Sequence, residues 1–164
     1  MNNKVFVSFE VEDVSDEQIE NNVIRNALSV LDHLGVHDAE LSCSFVSDNT
    51  IRQLNKEYRD KDEATDVLSF PQEEKIAGQA NWPAILIEGE QPVPRILGDL
   101  VISMESVKRN CVTFDVQCDE EVDRLIIHGI LHLLGQDHST NDADEPMLLF
   151  QESLLRTIRE ESPN

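Results

Sequence analysis

The sequence predicts a single α/β (α+β) domain, with one sheet of about four strands covered by helices. Three observations lead there. Four short stretches read as strands: Lys4 to Val11, Glu40 to Ser47, Thr65 to Phe70 and Ile96 to Ser103. Stretches of helical periodicity lie between and after them. One of these, Leu125 to Leu134, is apolar on nearly every side, which marks a buried helix. The 164 residues suit one domain, 1–164, and are enough to enclose a real core.

In chain order, the first strand carries Val5, Val7, Phe9 and Val11 on one side. Ser15 or Asp16 then caps a helix whose buried stripe is Ile19, Val23, Ala27, Leu31 and Leu34, joined by Ile24 and Leu28. Gly35 ends it. Leu41, Cys43 and Phe45 alternate with polar neighbours in the second strand, and Ser47 or Asp48 caps the next helix. In that helix Ile51, Leu54 and Tyr58 form an inner face, while Arg52, Lys56 and Arg59 form another. Pro71 closes the third strand. Gln72 to Arg95 holds three prolines, Gly78 and Gly89 around the apolar Trp82, Ile85, Leu86 and Ile87, and reads as a long loop, hairpin or mobile lid between strands. After the fourth strand, residues 104–113 start a helix and Asp119 caps the buried one. The turn STNDADEP leads to an amphipathic C-terminal helix with Met147, Leu148, Phe150, Leu154, Leu155 and Ile158.

The chemistry is concentrated in Leu125 to His138, LIIHGILHLLGQDH, which holds three of the five histidines. His128 and His132 are one helical turn apart on one face, at about 3.6 residues per turn. Gly135 is the residue type that ends a helix in the left-handed conformation. His138 follows where a chain that has turned can swing a third imidazole back. A buried imidazole is neutral and hydrogen-bonded, or it binds something. One divalent cation satisfies three that converge, which makes this a buried metal-ligand helix. The spacing is similar to the zinc motif HExxHxxGxxH of metzincin peptidases, except that Gly129 stands where those enzymes have their glutamate base. The plainer alternative, chance core histidines, accounts poorly for three at this spacing with a glycine at the bend. Asp137 reads either as an outer partner that orients a ligand histidine or as a solvated turn residue. His33 and His37 repeat the H-x3-H spacing, but Gly35 lies between them and no third ligand follows. Three histidines with an open fourth position suit catalytic zinc, and also nickel, copper or iron.

Composition narrows the classes. No apolar run approaches the ~20 residues of a membrane helix, and MNNKVFVSFEVED does not read as a signal peptide. Three cysteines without a CxxC, Cys43, Cys111 and Cys118, suggest a reduced, cytoplasmic protein. Cys111 and Cys118 read as small semi-buried residues or, alternatively, thiolate ligands. The net charge of -20 opposes nucleic acid at long range, yet four of the thirteen basic residues fall between Arg52 and Lys61. Such a strip can hold a phosphate backbone. Its plainer reading is a solvated helix surface.

Three blocks, NKEYRDKDEATDVLSFP (Asn55 to Pro71), LGDLVIS (Leu97 to Ser103) and HGILHLLGQDH (His128 to His138), together resemble the bacterial YbeY-type endoribonucleases, the rRNA maturation factors. The resemblance runs from about Ser47 to the C-terminus. It implies a mixed sheet, one zinc held by His128, His132 and His138, and a role in activity for Arg59, paired with Tyr58. It further implies cleavage of single-stranded RNA in maturation of the small-subunit ribosomal RNA, notably its 3′ end, and in ribosome quality control. The implied partners are the small subunit and its proteins. Phosphodiester cleavage builds charge on non-bridging oxygens, and a planar guanidinium stabilises it by paired hydrogen bonds. Arg59 is accordingly assigned to the scissile phosphate, with Lys56 and Arg52 binding substrate beside it. This requires Arg59 to lie near the metal. The general base stays open between a metal-activated water and the substrate's own 2′-hydroxyl. Two rivals stand beside this reading. One is a metallopeptidase, which needs a base from elsewhere. The other is a non-catalytic, metal-stabilised ribosome assembly factor, which needs a fourth ligand.

Overall fold

The computed structural model describes residues 2–10, 17–72 and 94–162. Local sequence accounts for most element boundaries. Strand β1 (Lys4–Phe9) precedes helix α1 (Glu17–His33), which Gly35 terminates at a φ of 67°. Strand β2 (Ala39–Val46) leads to α2 (Asp48–Arg59), where the Ser47 hydroxyl caps the helix by accepting from the Thr50 N–H. Strands β3 (Val67–Pro71) and β4 (Arg95–Ser103) follow, then α3 (Met104–Phe114), α4 (Cys118–Leu133) and α5 (Pro146–Glu161). Val11, Ser15, Asp16 and nearly all of the 72–95 excursion lie outside the described residues.

The four strands form one mixed sheet in the order β1-β2-β4-β3. β1, β2 and β4 run parallel, and β3 pairs antiparallel with β4, Ser69 opposite Leu100. The 72–95 segment therefore connects neighbouring antiparallel strands. On one face, Leu41, Cys43, Phe45, Leu100 and Ile102 join the main core with α1 and α4, and α5 packs on those two helices. A smaller cluster of Val46, Ile51, Leu68 and Val101, with Leu54 and Phe70 against it, lies under α2 on the other.

Four expectations are corrected. Asp119 does not cap α4. Gln117 occupies that position without a side-chain bond, and Asp119 sits in the first turn, where its carboxylate accepts from the Glu120 N–H and pairs with Arg159. With Glu120 and Glu121 it completes an acidic first turn, which complements the helix dipole. Tyr58 is not on an inner face but 61% exposed, because α2 ends over β3, the outer strand of the sheet among the described residues. Phe150 is exposed too, since the buried stripe of α5 runs Met147, Gln151, Leu154, Leu155, Ile158. Cys111 and Cys118 are neither ligands nor separate thiols. They are joined as a disulfide across the α3–α4 turn, their Cα atoms 5.4 Å apart. Cys43 is free and buried in the core, its thiol pushed up to about 12 by burial, which rules it out as a nucleophile.

Candidate metal centre

The site is built by the end of α4. Two backbone bonds close the helix there: Gly135 N–H to the His132 carbonyl at 3.0 Å, and Gln136 N–H to the Leu131 carbonyl at 2.9 Å. This paired pattern is a Schellman motif, and it needs the left-handed φ of 92° that Gly135 supplies. The chain reverses, and His138 returns to the helix face. The three imidazole centroids lie 4.5, 5.3 and 5.4 Å apart, each ring half-buried. Among the described residues this is the one cluster of metal-ligating side chains, with ligand atoms within 4.8 Å of one another, and no fourth His, Cys, Asp or Glu joins it.

The tautomers follow from the partners. His132 Nδ1–H donates to the Gln136 carbonyl at 3.0 Å and His138 Nδ1–H to the Thr140 carbonyl at 2.8 Å, since a carbonyl can only accept. His128 Nδ1–H donates to Gln151 Oε1 at 2.7 Å. The Gln151 amide is oriented by its own N–H bond to Glu152, which Arg124 fixes at 2.7 Å. Each Nδ1 is thus taken by its own acceptor, and in the neutral tautomer this fixes, Nε2 is the atom with the lone pair. The Nε2 atoms of His128 and His132 face each other at 3.0 Å. Two lone pairs repel at that distance unless a cation lies between them. Ligands of tetrahedral zinc at about 2.0–2.1 Å stand about 3.3 Å apart, so the donor set fits zinc.

Burial pushes the pKa of His128 and of His132 below the ordinary 6.5, against an upward pull from the bonds to Gln151 and Gln136. Both rings are therefore neutral and ready to coordinate near pH 7. Stability has the corresponding sign. Below about pH 6.5 the unfolded chain takes up protons that these folded rings refuse, so acid favours unfolding. The metal-free protein is expected to lose more Tm between pH 7.5 and about 5.5 than a His128→Asn, His132→Asn double variant does. Parallel melting curves would contradict this.

Gln151 was missed from sequence. Its signal was a polar residue in the apolar stripe of α5, and it is only 5% exposed. Removing such an outer partner typically weakens metal binding by about 10–100-fold. Gln151→Leu is expected to raise the zinc Kd by that factor, measured against a chromophoric chelator, and an unchanged Kd would exclude Gln151 from the site. Asp137 turns elsewhere: its carboxylate accepts from the His138 backbone N–H at 2.8 Å and shapes the turn.

Gly129 faces the sheet. A Cβ there would meet Leu100 Cδ2 at 2.5 Å, and Leu100 is fully buried. A glutamate in the peptidase position would be driven into β4.

Arg59 lies across the edge of the sheet. The Asp66 carbonyl accepts from the Ser103 N–H, so alternation turns the Ser69 carbonyl away from β4, to the outer edge of the sheet among the described residues. Arg59 Nη2 donates to that carbonyl at 2.6 Å, and its guanidinium lies 5.9 Å from the Phe70 ring centre. The Ser69 hydroxyl in turn donates to the Gly129 carbonyl at 3.3 Å, beside His128. Arg59 is two hydrogen bonds from the metal-ligand helix. Arg52 is held by Asp62 at 2.8 Å, both side chains exposed, and Lys56 projects to solvent from the same helix.

A mixed four-stranded sheet, with a three-histidine cluster able to coordinate a metal at the end of the helix packed against β3 and β4, defines the class: a small α/β protein with a candidate metal site. The family model for Endoribonuclease YbeY matches residues 6–159. The chain is 40% identical to an endoribonuclease YbeY of Treponema denticola, covering 94% of this chain and 93% of that one. It is 34% identical to one of Persephonella marina (96% and 94%) and 38% identical to one of Bacillus thuringiensis (91% and 92%). A Thermotoga maritima protein solved in solution shares the fold at a TM-score of 0.59 and 24% identity, over 96% of this chain and 90% of that one. This chain belongs to the endoribonuclease YbeY family.

Proposed function

We propose that the chain is a zinc-dependent endoribonuclease that cuts single-stranded RNA. It would act in maturation of the small-subunit ribosomal RNA, notably its 3′ end, and in ribosome quality control. The observation that carries this is the convergence of His128, His132 and His138, each presenting Nε2, with no fourth protein ligand among the described residues. That donor set would hold the ion, which when bound supplies a Lewis acid and lowers the pKa of a water. Gln151 and the Gln136 and Thr140 carbonyls hold the imidazole tautomers. Asp137 holds the His138 turn. Arg59, anchored on β3, binds the scissile phosphate, and Lys56 and Arg52 hold the flanking backbone. The proposed setting is the cytoplasm, with the small subunit and its proteins as partners. No helix of the described residues is long and apolar enough to cross a membrane.

The rivals lose specific requirements. The peptidase reading needs a base from elsewhere, since Gly129 stands in the base position and a side chain there would meet Leu100. A structural metal centre needs a fourth ligand, and Cys111 and Cys118 are spent on each other. Incubating the zinc-loaded protein with labelled single-stranded RNA, the same sequence as duplex, and an unfolded peptide separates the three. Cleavage of the single strand alone, abolished by chelator and restored by zinc, is the expected result. Peptide cleavage, or no cleavage, would overturn the reading.

A further inference from the structure

We infer that Tyr58 is a stacking platform for a nucleobase beside the cleaved bond, an inference that rests on the single-stranded RNA reading above. The Tyr58 ring is 61% exposed, although its spacing from Ile51 and Leu54 would place it on the inner face of α2. It is not loose. Its ring makes a T-shaped contact with Phe70, centroids 5.3 Å apart at 72°, while most of its surface stays open to solvent. The neighbouring Arg59 lies against the same Phe70 ring and bonds to Ser69, whose hydroxyl reaches the metal-ligand helix at Gly129. A base on Tyr58 would therefore belong to a nucleotide close to the phosphate that Arg59 binds.

The charge distribution gives this contact its weight. The protein carries a net charge of -20, and within the basic strip of α2 Arg52 is already paired with Asp62. Backbone electrostatics are correspondingly weak. Stacking does not depend on charge and contributes to single-strand binding at every base, which duplex RNA cannot offer because its bases are already stacked. Tyr58 would thus supply both affinity and the preference for single strands.

The test uses the full-length, zinc-loaded protein and unstructured RNA oligonucleotides, with steady-state kinetics on wild type, Tyr58→Ala and Tyr58→Trp. Tyr58→Ala is expected to raise KM about tenfold with kcat within about twofold, and Tyr58→Trp to restore KM. On an oligonucleotide abasic at the nucleotide next to the cleaved bond, wild type should fall to the level of Tyr58→Ala, and the two should no longer differ. An exposed ring can be removed without opening the core, so melting temperatures should match. If wild type cuts and Tyr58→Ala keeps its KM, or loses equally with and without the base, the stacking inference fails while the nuclease reading stands. If wild type cuts none of the RNAs, the nuclease reading itself fails.

Discussion

His132→Ala is expected to lose zinc and RNA cleavage together, while keeping its fold. The ring is one of three ligands, and its Nε2 stands 3.0 Å from that of His128 across the position a cation would take. Outer-shell losses cost about 10–100-fold in affinity, so loss of a ligand itself should cost more than about 100-fold. Metal analysis by mass spectrometry should find the variant nearly metal-free after dialysis against buffer that leaves wild type loaded. Its cleavage should be at background. The His132 ring is half-buried at the domain surface, so the sheet and core should persist, and the circular dichroism spectrum should be unchanged. A variant that retains zinc would place the metal elsewhere.

Arg59→Ala is the complementary case. Removing a single preorganised charge-stabilising donor costs about 100–1,000-fold in kcat. Arg59 touches none of the three imidazoles, so the zinc content should equal that of wild type. The bond it gives up is to a carbonyl on the side of β3 away from β4, where water can replace it, so stability should change little. Arg59→Lys should restore only part of the rate, because an ammonium lacks the paired donors of a guanidinium. Full activity in single-turnover assays of Arg59→Ala would remove Arg59 from the chemistry and reduce it to a tie between α2 and the sheet edge.

These two variants separate the parts of the site that were legible in the sequence to different degrees. The histidine cluster was plain, because helical spacing, the glycine bend and the returning third imidazole are local features, and the Schellman bonds at Gly135 and Gln136 show the mechanism. The four strands were legible through their apolar runs. Arg59 rested on the family resemblance and on a required closeness that local spacing cannot deliver. What links Arg59 to the metal-ligand helix runs through the sheet: β3 is the outer strand of the described sheet, Arg59 at the end of α2 bonds the Ser69 carbonyl there, and the Ser69 hydroxyl reaches α4 at Gly129 on the other face. The tautomer-setting groups were the least legible. The Gln136 and Thr140 acceptors are backbone atoms, with no residue type to betray them, and Gln151 comes from α5, on the far side of the turn. The exposure of Tyr58 was misread for a similar reason. Periodicity gives a side of the helix, whereas burial depends on whether the sheet extends beneath it. The cysteine pair shows the limit of counting, since an odd total drew attention away from two residues flanking one turn.

The most direct test of the central claim is a zinc titration of the metal-free protein, with single-stranded RNA cleavage as the readout. The rate should rise linearly from background and break at about one zinc per chain, the stoichiometry of a single three-histidine centre. Cleavage that is already complete without zinc, or that does not appear at any zinc ratio, would contradict the assignment of His128, His132 and His138 as the centre of a metal-dependent nuclease.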